Sequence, residues 1–225
     1  MPQKLYSPMT LPFLGLLGFI LAIVIVMLEI GVIEAAYEKL GMSHRAITGL
    51  LLLTIFGSYV NIPVAAIHAG SLMHSQVVVV NGVPYVVPDV QSAGKTIIAI
   101  NLGGALIPIF LSAWLLLRVG GGLAAIPATV IVAVVVNHFS KLVPGVGIAV
   151  PTFIPGILAA LLAIIFTRQH RAAVAYTAGT IGCLLGADIL NLGAVARLHA
   201  PVASIGGAGT FDGVFVSGII AVLLA

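Results

Sequence analysis

Residues 11–33, LPFLGLLGFILAIVIVMLEIGVI, contain a single ionisable side chain, Glu29. About 20 apolar residues are what an α-helix needs to cross a hydrocarbon core about 30 Å thick. Backbone inside hydrocarbon must satisfy its own polar groups, which only helices and closed barrels achieve. The apolar pattern returns at residues 46–68, 95–118, 123–143, 152–167, 172–193 and 211–225. Only 7% of the 225 residues are charged and 61% are hydrophobic, whereas a soluble domain carries about 25% charged residues. These features predict an all-α, polytopic transmembrane bundle of about seven helices. No polar stretch is long enough to fold separately, so residues 1–225 read as one integral membrane domain whose first partner is the lipid bilayer. The first apolar run is too long for a signal peptide and lacks a small-residue cleavage site, so it reads as a retained helix.

Polar features exclude several function classes. The net charge of +3 comes from nine scattered basic residues, without the concentrated basic face that nucleic acid requires. The single cysteine, Cys183, rules out an intramolecular disulfide. His44, His68, His74, His138, His170 and His199 include no i, i+4 pair, and no phosphate-loop or dinucleotide fingerprint occurs. No metal and no cofactor is therefore expected.

One segment reads as strand. SQVVVVNGVPYVVPD joins two β-branched runs through Asn81-Gly82, a strong hairpin signal, and predicts a small extramembrane β-hairpin near residues 77–87. It either closes a loop rigidly or offers an edge to an extended peptide. With seven spans, Lys4, Lys95, Lys141 and Arg197 fall on one side, and Lys39, Arg45, Arg118, Arg168 and Arg171 on the other. That distribution leans toward an outside N-terminus.

Among the acidic residues, Glu29, Glu34, Glu38 and Asp89 lie where water can reach them. Asp188 follows AAVAYTAGTIGCLLGA with no charge since Arg171, and an intramembrane carboxylate is by default a functional feature. Asp212 stands at the start of the last apolar run. Two antiparallel helices joined by a connection containing Gly206, Gly207 and Gly209 can bring both aspartates to one depth. Carboxylates a few ångströms apart do not both ionise easily, so such a pair offers an acid and a base together. Three uses remain open: activating a water for amide hydrolysis, relaying a proton or cation in a permease, or a structural role in a noncatalytic scaffold. In the structural case Asp212 caps a helix, and Asp188 pairs with Arg197 or bonds the backbone. Asn191, three residues after Asp188, is placed to hydrogen-bond its carboxyl. Asn61 with Pro63, Asn101 before Gly103-Gly104, and Asn137-His138 either line a transport site or simply support packing.

The motifs GADILNL and GGAGTFDG, with NIPVAAIH, NLGGALIP and PGVGIAVPTFIPG, resemble an uncharacterised family of bacterial and archaeal multi-pass membrane proteins. The resemblance implies a cell-membrane location and covers most of the chain. A more distant likeness is to intramembrane aspartyl proteases of the GxGD class: presenilins, signal peptide peptidases and prepilin peptidases. These carry one catalytic aspartate on each of two consecutive helices. The likeness implies that Asp188 and Asp212 are catalytic, supported by Asn191, Gly207, Gly209, Thr210 and Gly213, and that the substrate is a membrane-embedded peptide. The present motif, GAGTFD, has two more residues before its aspartate, and GAD replaces the tyrosine-aspartate pair of presenilins.

Overall fold

The computed structural model describes residues 11–68, 77–80, 83–86, 95–143, 147–198, 200–207 and 213–225. Helix α1, Leu11–Lys39, ends because Gly41 takes a left-handed conformation, φ +77°. The amide of Gly41 donates to the Glu38 carbonyl and that of Met42 to Tyr37, the paired bonds of a Schellman stop. After this turn α2, His44–Gly57, leaves at 118° to the Val26–Lys39 part of α1.

Two expected helices begin or end as strands. The sequence reads residues 46–68 and 95–118 as continuous spans, yet α2 stops at Gly57 and β1 runs Asn61–His68. Likewise β4, Lys95–Asn101, precedes a π-helical turn, Leu102–Leu106, and then α3, Ile107–Arg118. Asn101 sets the switch: its side-chain oxygen accepts the Gly104 amide at 2.7 Å, and Pro108 fills the first turn of α3, where no amide donor is required. Strand β1 pairs antiparallel with β4, and its register shifts between Pro63 and Ala65, as expected where proline cannot donate to the ladder. The bundle is thus not all-α: it carries a mixed three-stranded sheet in which β4 lies between β1 and a later strand, Val202–Ile205.

The hairpin lies where the sequence places it. Strands β2, Val77–Val80, and β3, Val83–Val86, pair antiparallel from Val77 with Val86 to Val80 with Val83. Helix α4, Gly122–Phe139, leads into a shorter hairpin of β5, Lys141–Val143, and β6, Gly147–Ala149. Then come α5, Ile154–Phe166, and α6, Arg171–Cys183, which continues as a π-helical segment, Leu184–Ile189. A 3-10 helix, Leu192–Leu198, strand β7, Val202–Ile205, parallel to β4, and α7, Gly213–Leu224, complete the described chain.

By length and composition, two described helical segments can cross a bilayer: Gly122–Phe139 and Arg171–Ile189. The bent α1–α2 pair makes a third if it is one span. The second segment is the centre of the bundle, 72% buried against 28% for the first, and packs on α3, α4, α5 and α7. Small residues permit that crowding. A Cβ on Gly182 would meet Val132 at 2.7 Å, and one on Gly218 would meet Thr180 at 2.5 Å. Close backbone approach of this kind is how helices associate when lipid removes the hydrophobic drive. Outward, Leu117, Leu123, Phe110 and Ile165 are exposed, a quantity of apolar surface that water tolerates poorly.

A candidate carboxylate site where the bundle meets the sheet

Asp188 lies on the π-helical segment that prolongs α6. At 1.5 Å of rise per residue it stands roughly 25 Å along the axis from Arg171. That is the sheet end of the span rather than its middle. Its Oδ2 accepts the Gly206 amide at 2.8 Å, so the carboxylate holds the turn that leaves β7. It also lines a cavity of about 50 Å³ with Ile98, Ile148, Leu192, Val195 and Ser204, enough for at least one water.

The Gly206 turn needs glycine. Both Gly206 and Gly207 have positive φ, +87° and +75°. A Cβ on Gly206 would lie 2.6 Å from the Ala105 amide nitrogen. The turn is therefore pressed against the π turn Leu102–Leu106, which in turn rests on α2: a Cβ on Gly103 would lie 2.3 Å from the Thr54 carbonyl. These contacts stack the β7 turn, the β4 turn and the end of α2 beside Asp188.

Asn191 does not bond the Asp188 carboxyl as its spacing suggests. Its amide donates instead to Gly186 O at 3.0 Å, Ala187 O at 2.9 Å and Ser140 Oγ at 3.1 Å. The π geometry explains this. Leu190 N bonds Leu185 O, skipping the Gly186 carbonyl that an α-helix would have used. Asn191 and Asn137, the latter at 3.2 Å, take up that orphaned carbonyl. Both asparagines support the segment carrying Asp188 without touching its carboxyl.

A second polar network ties the sheet together. The fully buried Asn101 donates to Ser58 O at 2.7 Å and Asn61 Oδ1 at 3.1 Å, and Ser204 donates to the same Asn61 oxygen at 2.6 Å. These asparagines join β1, β4, β7 and the end of α2. The burial of Asn101 in apolar sequence is the signal that marks it as fold-determining, because a buried amide must find partners.

Asp212, Gly209 and Thr210 lie outside the described residues. Gly213, the next residue, opens α7; a Cβ there would lie 3.9 Å from Cys183 Sγ, and Ser217 Oγ donates to its carbonyl. Val214 packs with Ala105, Cys183 and Leu184 in one buried cluster, flanked by Ile100 and Ile205. The first turn of α7 therefore meets α6 one to two turns before Asp188.

This is a helical bundle capped at one end by a small mixed sheet, with a carboxylate at their junction. Residues 55–224 match a family described as "Protein of unknown function (DUF1614)", and the chain belongs to that family. The matched span contains both Asp188 and Asp212. Comparison with curated proteins and with solved structures yields no match.

Proposed function

We propose that this chain is a multi-pass protein of a bacterial or archaeal cell membrane, with about seven helical passes, that hydrolyses a membrane-embedded peptide. Asp188 and Asp212 share one proton and a water between them. The ionised carboxylate takes a proton from the water as its oxygen attacks the peptide carbonyl carbon, and the protonated carboxyl donates to the carbonyl oxygen. Collapse of the tetrahedral intermediate expels the amine, which takes up a proton as the C–N bond breaks. No nucleic acid, metal or cofactor takes part.

The observation that carries this reading is the packing of Gly213 and Val214, which directly follow Asp212, against Cys183 and Leu184 on the segment bearing Asp188. The water-sized cavity beside Asp188 and the apolar outer surface support it further. Substitution separates chemistry from structure here. Asparagine keeps an oxygen that can accept from Gly206 N, so Asp188→Asn preserves the turn while removing the base. In proteoliposomes holding a panel of transmembrane peptides, the expected result is cleavage by the native chain and none by folded Asp188→Asn or Asp212→Asn. Full cleavage by both variants sinks the pair. Loss of proton-coupled uptake in those variants, with no proteolysis by the native chain, replaces hydrolysis with the permease reading.

A further inference from the structure

Three connections bring cations to the end of the bundle opposite Asp188. Lys39, at the end of α1, donates to Leu223 O at 2.8 Å and Val222 O at 3.4 Å, fixing the α1–α2 turn beside the last turn of α7. Arg45 follows in the first turn of α2. Arg118 ends α3, and the next turn reaches Gly120 and Gly121, which lie against His170: a Cβ on each would meet its side chain at 3.6 Å and 3.0 Å. His170 sits in the α5–α6 connection between Arg168 and Arg171. Lys39, Arg45, Arg118, Arg168 and Arg171 therefore share one end of the molecule.

Acidic residues barely offset them. Among the described residues Glu34 and Glu38 are the acidic side chains near this end, and Glu34 pairs with His44. Among the described residues none of the five Lys and Arg side chains has a carboxylate partner. All five lie in or beside tight turns at helix ends, where cations read membrane sidedness most strongly. Trp114, one turn inside Arg118, lies with its ring 5.0 Å from the guanidinium carbon, as expected of an aromatic residue at the headgroup level.

We infer that this end is seated on the anionic phospholipid headgroups of the cytoplasmic leaflet, and that Asp188, the sheet and the hairpin open to the opposite side. Lys and Arg near such a surface are drawn to it electrostatically within a Debye length. The inference rests on the membrane embedding proposed above and is independent of the hydrolytic chemistry. Recovery of the chain in the soluble fraction would remove the embedding itself, whereas the following outcomes bear on sidedness and lipid choice alone.

Exposed positions report sidedness. Gln169→Cys marks the cationic end and Pro201→Cys the sheet end, with the native chain and its buried Cys183 as blank. A membrane-impermeant maleimide should label Pro201→Cys in intact cells, and Gln169→Cys only after permeabilisation. The reverse pattern overturns the inference. Trp114, the only tryptophan, reports the lipid directly. In mixed vesicles, brominated phosphatidylglycerol should quench it more strongly than brominated phosphatidylcholine at equal bromine content. The difference should vanish in the Arg118→Gln, Arg168→Gln, Arg171→Gln variant. Equal quenching of the native protein by the two lipids overturns the lipid assignment, whatever the variant does.

Discussion

Gly206 illustrates how one residue serves several demands. Its amide holds Asp188, its φ of +87° lies in the left-handed region, and a Cβ there would lie 2.6 Å from the Ala105 amide nitrogen. A methyl group there meets backbone that cannot swing aside. Gly206→Ala should therefore destabilise the fold on the order of 3 kcal/mol, combining left-handed strain with overpacking. A large fall in thermal midpoint in detergent would bear this out, and an unchanged midpoint would refute it. Thr177 gives the opposite case. Its hydroxyl is buried on α6 with no hydrogen-bond partner among the described residues, and such a group costs about 1–3 kcal/mol. Thr177→Val keeps the shape and removes the cost, so the midpoint should hold or rise; a fall would show that the hydroxyl has a partner after all.

The π segment Leu184–Ile189 behaves as a unit because its irregular bonding must be repaired from outside. Gly186 O accepts from both Asn137 and Asn191. Either asparagine alone still satisfies it, so Asn137→Ala and Asn191→Ala should each be mild at this carbonyl. The double variant leaves it bare and should lose at least about 1 kcal/mol more than the single losses added together, the penalty of an unsatisfied buried acceptor. Denaturation midpoints of the two single variants and the double one test this; simple additivity would argue against a shared acceptor. None of this was legible in sequence. Hydropathy finds GCLLGADIL apolar whether it winds as α or π, and it placed Asn191 toward Asp188 through regular helical spacing. The same blindness explains residues 46–68 and 95–118. Periodicity alone does not separate a buried strand from a helix in a long apolar run, and β1 and β4 are identified by their pairing, which is non-local. The hairpin was legible because Asn81-Gly82 between valine runs is a local signal.

Across the whole molecule the two ends are built differently, and α7 is held at both. At the sheet end Val214 sits in the cluster with Cys183 and Leu184. At the cationic end the Lys39 ammonium bonds two carbonyls that the last turn of α7 leaves without intrahelical donors. A cation at a helix C-terminus also complements the macrodipole, contributing up to about 1 kcal/mol at an exposed site. Composition revealed the membrane-compatible character and the odd placement of Asp188, but this tie joins residues 183 and 184 positions apart, beyond any local pattern. Lys39→Met keeps the aliphatic stem against α7 and removes the donors. The last turn of α7 should then fray, with amide exchange near Leu224 and Ala225 accelerating by up to roughly fivefold, as a loss of about 1 kcal/mol implies. Exchange in the first half of α7, where Val214 packs in the Cys183 cluster, should stay unchanged. Acceleration along all of α7 would mean that Lys39 anchors the whole helix, and no acceleration would mean that packing on α6 alone secures it.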